Sequence, residues 1–235
     1  MPVPGFLELI RKLCDEYGIV MGTSHHEPLT RAQAEWHRLD ADSEIIAESF
    51  AAAINKSGVR HIVFLSSIGA HLGAGTGAIS ILHPIEESLR ATGVNLTILR
   101  ASYFMENWAA SLAPALESGT IPSFFPARHR LPMIATRDIG LAAVDALLNP
   151  PRGVRVVELQ GPDDYTPEDI AAAIGSVAKK KVAVRQVPLN GLPGIYREMY
   201  EALIAGNIDW DGSGERRRGT LQPADVFRPM LRAQT

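Results

Sequence analysis

Helical and strand-like patterns alternate along most of the chain, and this alternation restricts the fold more than any other feature. Residues 43–54 carry apolar side chains at the spacing of one helix face, namely Ile45, Ile46, Phe50, Ala53 and Ile54. Residues 61–65 (HIVFL) follow as an apolar, β-branched run, typical of a strand covered on both faces. A second helix pattern at 81–92 and a second apolar run at 96–99 repeat the unit. This order predicts an α/β fold with a parallel sheet and flanking helices.

The remaining segments continue the pattern and are expected to end in a small C-terminal lobe. Pro114 is expected to be a late defect in a helix at 105–116. Thr166 and Pro167 predict the start of another helix, as its cap and its first-turn residue. The other predicted elements are helices at 6–16, 28–36, 136–148, 195–205 and 224–232, and strands at 19–21, 154–159 and 182–187.

Composition excludes several classes of protein. The chain has 235 residues, enough for one large domain, and its 46% hydrophobic and 21% charged residues are ordinary for a globular protein. A formal charge of −3 offers no general attraction to nucleic acid, and no apolar run approaches a membrane helix in length. Cys14 is the single cysteine, and charged residues interrupt the first twenty positions, so we expect a cytoplasmic protein without an export signal. A small molecule, another protein or a second copy of the chain is the expected partner.

Three ordered segments carry a family resemblance. They are residues 59–70 (VRHIVFLSSIGA), 96–107 (LTILRASYFMEN) and 134–140 (IATRDIG), and residues 159–166 (LQGPDDYT) also fit. Together they resemble the NmrA-like branch of the atypical short-chain dehydrogenases, from about Asp42 to the C-terminus. The resemblance implies an incomplete Rossmann-like parallel sheet that binds NAD(P), with NADP or NAD as cofactor. It also implies a reductase acting on quinone- or azo-type acceptors.

The resemblance also implies positions for the ligand-binding residues. In that family the loops after these strands lie at the carboxyl edge of the sheet, where open α/β sheets bind ligands. It therefore places Ser66, Ser67 and Ile68 near the nicotinamide half of the cofactor. It places four further residues along the cofactor and substrate cleft, namely Ala101, Tyr103, Phe104 and Asn107. The alternative is that the serines only cap a strand end and the aromatic rings only pack.

The chain departs from the wider dehydrogenase group at two places. Where that group has Tyr-x-x-x-Lys, residues 83–87 read HPIEE, so the catalytic residue is unknown. His83 is a weak candidate for it, and the alternative is a histidine at a helix start that only faces solvent or the cleft. No strand, glycine-rich turn and helix for the pyrophosphate precedes Asp42. The formal match at residues 73–78 (GAGTGA) begins several residues after the strand that ends near Leu65, and we interpret it as a mobile loop over the cleft.

The first forty residues carry a different resemblance. Residues 17–28 (YGIVMGTSHHEP) resemble part of the family 115 glycoside hydrolases. We therefore predict a foreign segment at 1–40 and a truncated NmrA-like NAD(P)-binding domain, with its small C-terminal substrate lobe, at 41–235. His25, His26 and Glu27 are too few and too close together for a metal site, and no metal is expected. The strand at 19–21 is a candidate to precede the helix at 43–54 through a right-handed crossover.

Three functional hypotheses follow. The first is an NAD(P)H-dependent reductase of quinone- or azo-type acceptors with an incomplete cofactor site. The second is a non-catalytic NAD(P)-sensing or protein-binding module, which the missing Tyr–Lys pair favours. The third is an inactive fusion product, which the missing phosphate-binding turn favours.

Overall fold

The computed structural model of the chain describes residues 39–232. The predictions made for residues 6–16, 19–21 and 28–36 lie outside this range. The helices are α1 (Leu39–Ser57), α2 (Leu82–Ala91), α3 (Leu112–Ser118), α4 (Thr136–Leu148), α5 (Pro167–Ala178), α6 (Gly194–Ala205) and α7 (Pro223–Arg232). The strands are β1 (His61–Ser67), β2 (Asn95–Ala101), β3 (Tyr103–Phe104), β4 (Thr120–Ser123), β5 (Leu131–Ile134), β6 (Val154–Gln160), β7 (Asp164–Tyr165), β8 (Ala183–Gln186) and β9 (Glu215–Arg218).

The main sheet is parallel, as the alternating pattern predicts. Within residues 39–232 its strand order is β1-β2-β6-β9, and every pairing in it is parallel. Leu96, Ile98 and Leu99 of β2 are fully buried because β2 has a neighbour on each side and helices on both faces. β1 lies at one end of the described sheet and is only partly buried along most of its length.

Helices cover the two faces of this sheet. On one face α1 and α2 pack on β1 and β2 through a cluster that includes Ala47, Ile85 and Ile98. On the other face Ile139 of α4 packs against Leu99 and other strand residues. The predicted α/β fold with a parallel sheet and flanking helices is therefore confirmed.

A second hydrophobic core forms a lobe beside the sheet. It includes the fully buried side chains of Phe125, Ile170 and Phe227, and two small ladders, β3-β5-β7 and β4-β8, lie around it. Helix α5 begins where the sequence predicts: the Thr166 hydroxyl accepts from the Asp169 N–H at 3.1 Å, and the Asp169 carboxylate accepts from the Thr166 N–H at 2.8 Å.

Some local predictions differ from the structure. Residues Met105–Ser111 form a 3-10 helix and α3 begins at Leu112, so Pro114 lies in the first turn of a helix, where its missing N–H costs nothing, and is not a late defect. Residues 216–218 (RRR) lie between two glycines, a pattern that favours an exposed basic turn. They instead form part of β9, although Arg216 and Arg218 are exposed as that pattern suggests. The three arginines donate to Glu158, Asp145 and the Pro162 carbonyl, respectively.

Candidate functional site

The carboxyl ends of β1 and β2 meet at one edge of the sheet and bring the sequence-predicted site residues together. Ser67 of β1 pairs with Ala101 of β2, and the Ile68 N–H donates to the Ala101 carbonyl at 2.9 Å. We call the last residues of these strands and the residues that follow them, 66–70 and 101–107, the carboxyl-edge site. Open parallel sheets bind their ligands at this edge.

The serines and Ile68 have different surroundings. Ser66 is buried, and its hydroxyl donates to Oε1 of Glu86 on α2 at 2.6 Å. Ser67 faces the opposite side of the sheet, since side chains alternate along a strand, and it is only partly buried. Ile68 is buried in an apolar cluster with Ile208. Ser67 is thus the more accessible hydroxyl of the pair.

The residues after β2 also divide into packed and accessible groups. Ala101 is buried in the core under α4, and Phe104 packs against the same cluster. Tyr103 is partly buried in the second lobe, where its ring meets Phe125 edge to face at 5.4 Å between centroids. Asn107 is exposed. Tyr103 and Asn107 are therefore the side chains of this group best placed to meet a ligand.

A row of polar residues crosses the sheet below the carboxyl-edge site. Ser66, Arg100, Glu158 and Arg216 occupy matching register positions on β1, β2, β6 and β9. Register partners in parallel strands point to the same face, so the four side chains form one line on the side covered by α1 and α2. Glu158 is buried and accepts from Arg216 Nη2 at 3.2 Å.

Arg100 is the centre of a buried ion network in this row. Its Nε donates to Glu86 Oε1 at 3.0 Å, its Nη2 donates to Glu86 Oε2 at 2.6 Å, and its Nη1 pairs with Asp211. Burial acts to raise the pKa of Glu86, but hydrogen bonds from Arg100 and Ser66 and the charge of Arg90 hold it below its usual value. The pKa of Asp211 is lowered as well, since bonds from Ser213 and Arg100 outweigh the effect of burial.

The segment after α6 covers part of this edge. Ile208 packs so closely on Gly69 that a Cβ on Gly69 would lie 2.8 Å from the Ile208 Cγ2 atom, and Gly69 has φ +80°. The Gly212 N–H donates to the Glu158 carboxylate at 3.0 Å. Ile208, Asp211 and Gly212 therefore connect the segment after α6 to the loop after β1, to β2 and to β6, respectively. The C-terminal part of the chain therefore forms one wall of the carboxyl-edge site.

His83 lies at the start of α2, beside the loop that follows β1. Its Nδ1 is 3.2 Å from the carbonyl oxygen of Ala70. A carbonyl can only accept, so Nδ1 carries the hydrogen and Nε2 is the nitrogen that can exchange a proton with a ligand. The His83 ring also contacts Gly73, whose Cβ position would lie 3.4 Å from the His83 Cδ2 atom.

The glycine-rich loop at 73–78 serves protein packing at its last glycine. A Cβ on Gly77 would lie 2.1 Å from the carbonyl oxygen of Ile195, at the start of α6. The backbone there is pressed against another helix and is not free to receive phosphate. The first part of the loop, residues 73–75, is exposed. The loop therefore packs against α6, and its interpretation as a loop over the cleft stays a prediction.

Two further buried acids next to the site have structural roles. Glu106 accepts from the Thr136 backbone N–H at 2.9 Å and from the Thr136 hydroxyl at 2.7 Å, which secures the start of α4. Burial raises the pKa of Glu106, against the lowering effect of these bonds. Asp138 accepts from the backbone N–H groups of Thr220 and Leu221 at 3.0 and 3.1 Å. Both carboxylates are thus committed to backbone contacts.

A shallow pocket of about 310 Å³ lies outside the carboxyl-edge site. None of the sequence-predicted site residues lines it; its walls include Arg130, Asp163, Tyr165 and Gln222. The Tyr165 hydroxyl donates to Gln222 at 2.5 Å, and burial, with nearby aspartates, raises the pKa of Tyr165 to about 12. Arg130 in this wall donates to the Asp164 carbonyl at 2.5 Å, so three of the polar side chains here have partners within the protein.

One buried polar atom at the carboxyl edge lacks a partner. Ser102 directly follows β2 and is buried, and within the described part of the chain its hydroxyl makes no hydrogen bond. Since a buried hydroxyl without a partner is costly, this atom fits a ligand with a polar group. The nicotinamide end of a dinucleotide, with its carboxamide, is such a ligand. The glycine-rich segment between β1 and α2 begins several residues after β1 ends, and its last glycine, Gly77, packs against α6.

Residues 39–232 contain neither a metal-binding cluster nor a membrane-spanning helix. No group of three or more His, Cys, Asp or Glu side chains there is arranged to hold a metal ion. The motif at His25, His26 and Glu27 lies outside these residues. No helix among the described residues is long and apolar enough to cross a membrane.

Comparison with known families agrees with this architecture. The model of the NmrA-like family matches residues 38–216, which is more than half of the chain. The chain belongs to the NmrA-like family. A second model, that of glycosyl hydrolase family 115, matches residues 7–63 and so overlaps the start of the NmrA-like match. Both resemblances seen in the sequence are therefore confirmed. No curated protein sequence matches the chain.

Solved structures support the fold at low sequence identity. A nucleoside-diphosphate-sugar epimerase from Staphylococcus aureus is 18% identical, with a TM-score of 0.62 over 93% of this NmrA-like chain and 80% of the epimerase. An NADPH-dependent quinone oxidoreductase from Escherichia coli, in complex with NADPH, is 20% identical, with a TM-score of 0.63 over 80% and 71%. A Citrobacter triphenylmethane reductase with NADP(H) is 20% identical, with a TM-score of 0.58 over 70% and 62%. These likenesses show a Rossmann-like fold.

The sequence interpretation of the NmrA-like chain missed the polar row and its partners. Glu86, Arg100, Glu158 and Asp211 were not identified as a network. A signal was present, because Arg100 lies between Leu99 and Ala101 and Glu158 lies between Val157 and Leu159. A charge between apolar residues of a buried strand needs a partner. The partner itself, on a helix or a distant loop, could not be identified from spacing.

Proposed function

We propose that this NmrA-like protein is an NAD(P)H-dependent reductase that reduces a quinone- or azo-type acceptor at the carboxyl-edge site. The observation that carries the proposal is the buried, unpaired hydroxyl of Ser102 at the end of β2, at the edge where parallel sheets bind ligands. Family membership supports it, as do the solved structures described as NADPH-dependent quinone oxidoreductase and triphenylmethane reductase.

Several side chains would hold the nicotinamide end of NADP or NAD. Ser67 and Ser102 would bind its polar groups, and Ile68 and Ala101 would form an apolar floor. Asn107, which is exposed, would bind from the side of the second lobe. The reduced nicotinamide supplies a hydride when bound. Ser66 would not contact the ligand directly, because its buried hydroxyl donates to the Glu86 carboxylate.

The pyrophosphate would be held less firmly than the nicotinamide. We propose that residues 39–232 do not supply a backbone cradle for it, because the glycine-rich segment at 73–78 packs against α6 at Gly77. Its binding would then depend on residues outside this range or on solvent-exposed contacts. We therefore expect an affinity for NADPH in the micromolar range.

His83 is the proposed proton donor. Because its Nδ1 donates to the Ala70 carbonyl, the ring is held in one orientation and Nε2 is available to a ligand. Hydride transfer to a quinone leaves an oxyanion, which needs one proton to become the hydroquinone. A protonated His83 would supply that proton and would recover it from solvent.

Steady-state kinetics test this proposal. The full chain is mixed with NADPH and a soluble quinone, and the loss of nicotinamide absorbance is followed. We expect turnover, and a fall in kcat of roughly 100-fold in His83→Ala, the size typical of a lost general acid. His61→Gln, at the opposite edge of the sheet, is the control and should keep wild-type kcat. NADPH oxidation by neither quinones nor azo compounds would contradict the reductase function.

A second function is favoured by one observation at α2. The position of the Tyr–Lys pair is taken by residues 83–87, and Glu86 in this stretch is buried in ion pairs. This arrangement supports a non-catalytic module that binds NAD(P) and signals its presence. Saturable NADPH binding without turnover on any acceptor would select this function over the reductase.

Several predictions from the sequence stay predictions. They are the division into a foreign segment at 1–40 and a truncated domain at 41–235, the cytoplasmic location, and assembly of the chain into homo-oligomers. The third hypothesis, an inactive fusion product, would require that neither NADPH nor NADH binds.

A further inference from the structure

Two tyrosine hydroxyls from different parts of the chain meet beside the carboxyl-edge site. Tyr103 is the second residue after β2, and Tyr200 lies on α6, almost one hundred positions later. Their Oη atoms are 3.4 Å apart, and both residues are partly buried. The fold therefore brings together two donors that the sequence places far apart.

Aromatic packing fixes both rings. Phe125 is fully buried, and it meets Tyr103 edge to face at 5.4 Å and Tyr200 in a tilted contact at 5.0 Å between centroids. Phe124 contacts Tyr200 on another side, also at 5.0 Å. Edge-to-face and tilted contacts at these distances are favourable and restrict ring motion. The two hydroxyls are thus held in place without a ligand.

Both hydroxyls stay protonated at neutral pH. Burial raises the pKa of Tyr103 well above its usual value, with a smaller contribution from Tyr200 and opposition from Asn107. Burial also raises the pKa of Tyr200. Each hydroxyl has one hydrogen, so when one donates to the other, the second still has a hydrogen to donate elsewhere. The pair therefore keeps one hydroxyl hydrogen that can be donated to a ligand.

We propose that Tyr103 and Tyr200 form a hydroxyl pair that binds the carbonyl oxygen of a planar aromatic acceptor and stabilises the oxyanion formed when that acceptor is reduced. This inference rests on the proposed reductase function and specifies its substrate class, a quinone-like carbonyl compound. The aromatic rings of the pair and of Phe124 supply an apolar wall for a flat substrate.

The reaction balances with groups already named. The quinone gains a hydride from the reduced cofactor and one proton from His83 or water, and becomes a hydroquinone. The tyrosines donate hydrogen bonds and keep their protons. A neutral donor aimed at a developing oxyanion lowers the barrier because it is stronger toward the anion than toward the carbonyl. We name both tyrosines catalytic residues on this basis.

Ligand binding without cofactor tests the pair directly. Menadione and 2-methylnaphthalene have the same ring system, but only menadione has carbonyl groups. Binding of each to the full chain is followed by quenching of intrinsic fluorescence. We expect Tyr200→Phe and Tyr103→Phe to weaken menadione binding about tenfold, as for loss of one hydrogen bond, and to leave 2-methylnaphthalene binding unchanged. Tyr165→Phe removes a hydroxyl outside the site and should change neither.

Kinetics then test the catalytic role. Tyr200→Phe should lower kcat for menadione reduction by roughly 100-fold, as for removal of an oxyanion donor, and leave the NADPH dissociation constant unchanged. The pH profile should keep its shape, because the pair does not titrate near neutrality. Equal menadione affinity in wild type and Tyr200→Phe would overturn the inference. Equally weakened binding of menadione and 2-methylnaphthalene in Tyr200→Phe would overturn it as well. If the wild type does not oxidise NADPH with menadione, but the tyrosine variants still bind menadione more weakly than the wild type does, the reductase function is overturned and the hydroxyl pair is not.

Discussion

Replacing Glu86 by alanine should destabilise the protein more than any other single change to an acidic residue of α2. Glu86 is 1% exposed and accepts hydrogen bonds from Ser66 and from two nitrogens of Arg100. The substitution leaves Arg100, 4% exposed, with Asp211 as its remaining carboxylate partner. Breaking a buried ion pair by removing one partner costs about 3–5 kcal/mol. For a chain of this size that corresponds to a fall in Tm of roughly 6–20 °C.

The adjacent residue provides a matched control. Glu87 has the same side chain on the same helix, but it is 60% exposed and its partner Arg90 lies 3.4 Å away. Exposed pairs contribute little, so Glu87→Ala should change the free energy of unfolding by less than about 0.5 kcal/mol. Urea unfolding followed by circular dichroism measures both variants. A change below about 1 kcal/mol for Glu86→Ala, or equal changes for the two variants, would refute the role assigned to the network.

Three further predictions concern stability. The first concerns acid: the pKa of Glu86 is lowered in the folded state, so its contribution to the free energy of unfolding is present above the unfolded pKa of about 4.3 and is lost as pH falls through the folded pKa. The stability difference between wild type and Glu86→Gln should therefore shrink below about pH 4. A difference that stays constant with pH in urea titrations would contradict this. Gly69→Ala should cost about 1–3 kcal/mol from its φ of +80° and its contact with Ile208, and the cost measured in an Ile208→Ala background should be smaller; an equal cost in both backgrounds would rule out the contact. Thr166→Ala removes a helix cap and should cost about 1 kcal/mol, whereas no shift in the urea midpoint would show that the α5 cap contributes nothing.

The sequence predicted the main sheet because its signals are local. The apolar runs of β1 and β2 and the helix patterns of α2 and α4 are set by neighbouring residues, and the structure places these elements within one or two residues of expectation. The strands β3, β4, β5, β7 and β9 were not predicted, since each has only two to four residues and most depend on a distant partner. Short strands carry too few residues to show a period.

Helix α1 shows how packing can override a hydrophobic pattern. The apolar face expected from sequence included Ile45 and Phe50, but these side chains are 60% and 39% exposed. The buried positions include Ser43 and Ala47 instead. Small residues let α1 approach α2 closely, and the Ser88 hydroxyl on α2 donates to the Ala47 carbonyl at 2.9 Å. Hydrophobicity alone predicts that Phe50 is buried more deeply than Ala47, so the sequence could not show which face of α1 packs on α2.

The candidate site was predictable only in part. The segments after β1 and β2 do meet at one edge, as parallel topology requires. The orientation of each side chain was not available from the sequence: Ser66 turns toward Glu86, whereas Ser67 faces the other side of the sheet. Tyr200 and the Ile208 wall come from the C-terminal part of the chain, and no local pattern connects them to the sheet.

Calorimetric titration of the full chain with NADPH and with NADH tests the central claim most directly. The proposed reductase should bind at least one of them in a saturable way, with a dissociation constant in the micromolar range, and Tyr200→Phe should bind it equally well. Absence of binding by both reduced cofactors, in a sample whose circular dichroism shows a folded α/β protein, would contradict the account.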